Sequence, residues 1–174
     1  MTVYMEEVLV ESTGGKPTFA NITDSVKAAI EKSGIEAGTC SVITSHTTCA
    51  VFYEEFVHDY DEETGLEYLQ VDLEKGLEKV FPKHTSAESY LYPGELHYQD
   101  VESWPNVEEY LPGGDRSYLW NGDAHLKSTL IGSSEVFAVE NGKLWVGKTG
   151  YIYFVDFDVT RPRKRKVKII VMGE

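Results

Sequence analysis

The sequence predicts an α+β fold: a compact single domain, residues 1–174, of antiparallel β-sheet with packed α-helices. Three observations carry this. Residues 151–159 alternate, with Tyr151, Tyr153, Val155, Phe157 and Val159 on one side and Ile152, Phe154, Asp156 and Asp158 on the other, as in a half-buried antiparallel strand. Asn141-Gly142 between the runs 135–140 and 143–147 is a strong hairpin signal, because both residues accept the positive φ of a tight turn. Residues 64–80 repeat Leu66, Leu69, Leu73, Leu77 and Val80 at intervals of three and four, with Glu67, Glu74, Lys75, Glu78 and Lys79 left for solvent. Strands outnumber helices but the helices are substantial, which is the α+β pattern.

Taken in order, residues 2–11 form a first strand that the Ser12-Thr13-Gly14-Gly15-Lys16-Pro17 break ends. A helix follows, capped by Thr23 or Asp24, buried through Val26, Ala29 and Ile30, and stopped at Gly34. Residues 38–44 read as a strand. Ser45-His46-Thr47-Thr48 then interrupts it before the apolar run 49–56. The acidic residues 59–63 precede the 64–80 helix, where its dipole tolerates them, and lack the spacing and glycine of a calcium loop. Residues 83–119 form a long irregular, aromatic-rich segment, the kind that is functional or packed as a lid.

The run Trp120–Ser134 is the centre of the chain. Asn121-Gly122 turns it, Asp123 caps a helix of about two turns, Leu126, Leu130 and Ile131 give the apolar stripe, and Gly132 ends it in a left-handed conformation. His125 therefore sits in a first helical turn, where the dipole disfavours imidazolium and leaves a lone pair for a proton or a metal. A hydrogen-bonded structural histidine fits the same stretch. Lys127 lies about 200° round the helix from it, toward the surface or a neighbouring subunit.

The charge of −13, from 29 acidic and 16 basic residues, argues against a general nucleic-acid binder. Six of the basic residues fall between Arg161 and Lys168, which reads as the basic entrance to a final strand. No stretch approaches the roughly 20 apolar residues of a membrane span. Cys40 and Cys49 lack metal-type spacing, and the first residues lack a signal-peptide pattern, so the expectation is a cytoplasmic protein with reduced thiols. Ser45-His46-Thr47-Thr48 is either a bend between strands or a set of hydroxyl donors for an anion. A Cys49–His46 nucleophilic pair is rejected, since residues three apart on a regular strand face opposite ways. The same parity allows at most one of Glu54 and Glu55 to share a pocket with His46.

The Ser-His-Thr-Thr segment, the Asp123-Ala124-His125-Leu126-Lys127-Ser128 helix with Leu130-Ile131-Gly132-Ser133-Ser134, and Val139-Glu140-Asn141-Gly142-Lys143-Leu144 together resemble the YjbQ-like family, also called secondary thiamine-phosphate synthases. The closing residues 157–174 resemble the family's C-terminus as well. The resemblance implies an α+β homotrimer with a histidine-containing site. It makes His46 and His125 the pocket histidines, His97 the intermediate one, and Glu55 the glutamate after the hydroxyl segment. The enzyme reading takes His46, His125 and Glu55 as acid–base groups, His46, His97 and His125 as metal ligands, and Thr47, Thr48 and Ser128 as phosphate contacts. Ser128 and Thr129 lie three and four residues on from His125, on its side of the helix. Histidine ligands suit a zinc-like divalent metal ion, and magnesium would suit release of a diphosphate. The substrate is a phosphorylated small molecule, with no nucleic acid or membrane partner.

Three departures separate the chain from the family pattern. Glu54 replaces a common Asn, Gly147-Lys148-Thr149-Gly150-Tyr151 replaces a Gly-Thr-Trp-Gln segment, and the span from His97 to His125 is longer. The competing class is a non-catalytic metal- or anion-binding oligomer, and a metal-assisted phosphoester hydrolase fits the same residues.

Overall fold

The computed structural model describes residues 1–174, whose strands make two antiparallel sheets. The larger runs β1 (Thr2–Ser12), β8 (Arg163–Gly173), β3 (Ala37–Thr44), β5 (Ser134–Glu140), β6 (Lys143–Leu144). The smaller sets β7 (Gly150–Asp156) between β2 (Thr18–Asn21) and β4 (Cys49–Glu55). Four helices complete the chain: α1 (Thr23–Ser33), α2 (Tyr68–Val80), α3 (Glu95–Glu102) and α4 (Gly122–Ile131). With curled antiparallel sheets and four helices, the class is α+β.

Alternation along β8 sorts the basic run. Lys164, Lys166 and Lys168 face outward across from Glu11, Leu9 and Glu7 of β1, with Lys166 Nζ 3.0 Å from Glu7. Arg163 and Arg165 are turned the other way, in line with the buried Val167, Ile169 and Val171. The main core joins these three residues to Val42, Phe154 and the α1 face of Val26, Ala29 and Ile30. Each fully buried valine, isoleucine or phenylalanine among them stabilises the fold by roughly 1.5–3 kcal/mol.

β7 departs from the half-buried expectation, for both its faces are covered. Ile152 and Phe154 enter the main core, while Tyr153 and Val155 enter a second cluster with Phe52, Leu77, Ala124 and Phe157. A central strand between two layers has no solvent face, and so its alternation distinguishes two cores rather than inside from outside. β2, only four residues long, lies between the Ser12–Pro17 break and α1 and has no counterpart in the sequence reading. The 143–147 run pairs only through Lys143 and Leu144, with one further bond from Trp145 N–H to the Ala138 carbonyl.

The helix expected over 64–80 begins at Tyr68. Asp61 accepts from the Thr64 N–H and hydroxyl, Gly65 takes a φ of 70°, and Glu67 with Gln70 forms a capping box at the true start. α4 runs nearly three turns, with Asn121 and not Asp123 at the N-cap position. Its leading Gly122 N–H donates to His84 Nδ1 at 3.1 Å, which leaves Asp123 free to turn toward Lys127. The expected apolar stripe is also displaced. Leu126 and Leu130 are exposed, and α4 buries Asp123, Ala124, Lys127 and Ser128 instead. Gly132 ends the helix at a positive φ of 109° but with an extended ψ.

Residues 83–119, expected to be irregular, carry regular elements and a packed cluster of their own. They hold α3, three short 3₁₀ turns and a separate apolar cluster of Tyr98, Val101, Leu111 and Leu119. No helix of the chain is long and apolar enough to cross a membrane.

Candidate functional site

A cleft of about 290 Å³ opens where the Ser45–Thr48 bend, the start of α4, α3 and the lead into β8 converge. Its walls include His46, Thr47, Thr48, His97, Asn121, His125, Asp158 and the three arginines Arg161, Arg163 and Arg165. Two elements do most of the positioning. Ser128 Oγ donates to the Cys49 carbonyl and Gly132 O accepts from Val51 N–H, which fixes α4 on β4 and so brings His125 over the bend. The 161/163/165 spacing delivers the guanidinium groups to the cleft from alternate positions of an extended segment.

The guanidinium groups are held differently. Arg165 is buried and forked on Asp156, at 2.7 Å from Nε to Oδ2 and 3.1 Å from Nη2 to Oδ1, and it also donates to Thr48 Oγ1 at 3.1 Å. Burial works against its charge, but the Asp156 carboxylate outweighs this and holds its pKa above the ordinary arginine value. Arg163 donates to Asp158 at 2.7 Å. Burial favours a protonated Asp158, yet Arg163, Thr160 and Asn121 outweigh it and keep the carboxyl below the usual range. Arg161 has no carboxylate partner. It lies over the Tyr110 ring and donates to the Tyr110 and Tyr118 carbonyls. Burial, then Arg163, lowers its pKa without discharging it.

His46 and His125 are both held toward the neutral form beside this charge. Burial, reinforced by Arg165, depresses His46, and burial depresses His125 against the pull of Asp158 and the Thr47 backbone. His46 Nε2 accepts from the Lys166 N–H at 3.0 Å. Its neutral ring then carries its proton on Nδ1 and has no lone pair to spare for a metal. Tyr92 stands between His97 and His125, its hydroxyl 3.3 Å from His97 Nε2 and its ring 5.2 Å from that of His125. No three His, Cys, Asp or Glu side chains come together at a spacing that could hold a metal ion. The donor set does not fit the three-histidine metal centre expected from His46, His97 and His125.

Of the residues singled out in the sequence, His46, Thr47, Thr48, His97 and His125 share the cleft. Ser128 and Glu55 do not. Ser128 is buried with its hydroxyl spent on the Cys49 carbonyl, and Glu55 is exposed at the far end of β4, paired across from Gly150. Glu54 points inward, where burial and Glu67 raise its pKa. Cys49 is buried in β4 and burial pushes its thiol up, so no nucleophilic pair with His46 forms. Lys127, expected at the surface, is buried, 2.7 Å from Glu74 and 3.4 Å from Asp123. The sequence reading missed Arg161, Arg163, Arg165, Asn121, Asp158 and Tyr92. For the arginines a signal existed: their alternate spacing, overlooked in a run taken as a whole.

An apolar groove of about 510 Å³ adjoins the cleft, lined by Tyr90, Leu91, Tyr92, Gly122, His125 and Leu126. Tyr92 and His125 belong to both. The exposure of Leu126 is thus exposure to a groove beside the site.

Comparison with known proteins places this architecture. The profile of the UPF0047 protein YjbQ-like family matches residues 7–174. The UPF0047 protein of Methanothermobacter thermautotrophicus is 26% identical over 174 residues, covering 100% of this chain and 95% of that one. UPF0047 protein YugU of Bacillus subtilis is 28% identical over 97% of this chain and 100% of its own. Among solved structures, a YbjQ-like protein of unknown function from Sulfolobus solfataricus superposes with a TM-score of 0.68 at 26% identity, covering 99% of this chain and 98% of that one. A YjbQ/UPF0047 protein from Clostridium acetobutylicum gives 0.65 at 29% identity, over 96% and 99%. With fold, motif order and near full-length matches agreeing, the chain belongs to the YjbQ-like UPF0047 family.

Proposed function

We propose that the cleft binds the phosphoryl group of a phosphorylated small molecule and that the chain acts on it as an enzyme of the secondary thiamine-phosphate synthase type. The observation that carries this reading is the convergence of Arg161, Arg163 and Arg165 on His46, Thr48 and His125 in one cleft. Guanidinium groups offer paired N–H donors at the spacing of phosphate oxygens, and in a partly dry site they neutralise charge that develops on a leaving group.

In such a transfer the bond to diphosphate breaks with its electron pair leaving on oxygen, and the thiazole phosphate captures the cation left behind. Arg161 and Arg163 take the leaving charge, Thr47 adds a hydroxyl donor, and neutral His125 stands ready to move a proton. The apolar groove beside His125 supplies a surface for the organic part of the substrate. The homotrimer belongs to the same reading, and the exposed Val3, Met5, Leu9 and Val136 on the outer face of the larger sheet give an assembly apolar surface to bury.

The test is formation of thiamine phosphate from a diphosphate donor and a thiazole phosphate by native protein, alongside calorimetric binding of inorganic phosphate. Arg161→Gln is expected to weaken phosphate binding about tenfold or more, since hydrogen bonds to charged groups are worth roughly 1.5–3 kcal/mol. Unchanged affinity in that variant would sink the anion site. Phosphate binding without turnover would favour the second reading, a non-catalytic binding protein, which the fixed engagement of His46 with the Lys166 backbone supports.

A further inference from the structure

Asn121 lines the cleft and is itself buried at 6% exposure. Its Nδ2 donates to Asp158 Oδ2 at 2.9 Å. An ionised carboxylate only accepts, so this contact fixes the amide with nitrogen toward Asp158 and leaves Oδ1 as an acceptor. That Oδ1 is buried and has no partner, and neither has Arg163 Nε. Asp158 offers no relief: its Oδ1 accepts from the Thr160 N–H and hydroxyl, its Oδ2 from Asn121 and Arg163. The side chains of the wall therefore leave one buried acceptor and one buried donor unsatisfied.

Charge makes a separate observation. Asp156 answers Arg165 and Asp158 answers Arg163, while Arg161 is held only by carbonyl oxygens. The group carries a surplus of one positive charge, which matches a singly ionised oxyanion.

We infer that the cleft selects a phosphate monoester in its singly protonated form, whose P–OH donates to Asn121 Oδ1 while its ionised oxygens accept from Arg163 Nε and Arg161. This rests on the anion-site reading given above, and it makes Asn121 the residue that sets specificity. Sulfate has the same tetrahedral shape but carries no proton at neutral pH. Bound here it would set a lone pair against Oδ1 and leave that acceptor unpaired, the kind of mismatch that lets polar sites reject close analogues.

The test is titration calorimetry of the intact protein with inorganic phosphate and with sulfate, at pH 6.5 and matched ionic strength. Wild type is expected to bind phosphate about tenfold more tightly than sulfate. Asn121→Ser, which removes the carbonyl acceptor and keeps a hydroxyl for Asp158, is expected to bring the two within about threefold. Equal binding of both anions by wild type overturns the inference and leaves the anion site standing. Failure to bind either overturns the anion site too. An unchanged ratio in a folded Asn121→Ser protein removes the role from Asn121, and if that variant does not fold, the wild-type ratio alone decides.

Discussion

Helix α4 has two polar faces that do opposite work. On one, His125 stands over a cleft whose wall keeps a buried donor and a buried acceptor without partners. On the other, Lys127 is buried between Glu74 and Asp123, with its ammonium 5.9 Å from the Phe157 ring. One Asp-Ala-His-Leu-Lys-Ser motif thus supplies both a site residue and an anchor. The cleft has a cation without a carboxylate, whereas the Lys127 face gives its one cation two. A ligand site keeps its charge unanswered, and a structural ion pair does not.

The largest effect expected from breaking this contrast is on the anchor. Lys127→Ala leaves Glu74 and Asp123 buried without their cation and should cost about 3–5 kcal/mol of stability, the range for removing one partner of a buried pair. His125→Ala should cost far less stability, since the ring holds no ion pair, and should lower turnover while leaving the arginine contacts to phosphate in place. Urea unfolding of the two variants checks the pair of outcomes, and a Lys127→Ala protein as stable as wild type would dissolve the distinction.

Ser128 sharpens it at smaller scale. Its hydroxyl is a strut to the Cys49 carbonyl, so Ser128→Ala should lose about 1 kcal/mol of stability, as for a single neutral hydrogen bond, and leave phosphate affinity unchanged. Weakened phosphate binding with intact stability would return Ser128 to the site. Glu55→Gln, out at the exposed end of β4, should alter neither measurement.

Periodicity served the sequence reading best where one face meets one core. The buried face of α1 with its Gly34 stop, the Asn141-Gly142 turn and the first strand follow from local pattern alone; the expected Thr23 or Asp24 cap does not, since Ile22 takes the N-cap position and Thr23 Oγ1 accepts from the Ile152 N–H. It failed on α4 because helical spacing identifies a face without saying what covers it. Leu126 and Leu130 made the obvious stripe, yet β4 and α2 pack on Ala124, Ser128 and Lys127, and the leucines are left outward. The same blindness hid half the site. His46 and His125 stand out as single residues in short motifs, but the arginines become a site only when β8 lies beside β3 and the Thr44–Thr48 bend, pairings about 120 residues apart in the chain. Burial of the basic run's alternate members is a tertiary fact. Composition had suggested only a solvated strand entrance.

The two faces should also answer pH with opposite signs, the smallest effect and the most diagnostic. His125 is held below its ordinary 6.5 by burial, against Asp158 and the Thr47 backbone. As pH falls, the unfolded ring takes its proton first, so the stability carried by neutral His125 is complete above 6.5 and is lost through the window between 6.5 and the lower folded value. Glu74 runs the other way. Burial lifts it above its ordinary 4.5 in spite of Lys127, so the folded state holds that proton more readily, and its contribution declines as pH rises from 4.5 through the folded value. Proton NMR titration should give a His125 midpoint below 6.5, and His125→Asn should flatten the loss of stability as pH falls below 6.5. A midpoint at or above 6.5 would mean that Asp158 governs the ring rather than burial, and that the cleft holds imidazolium, with two surplus cations where the neutral ring leaves one.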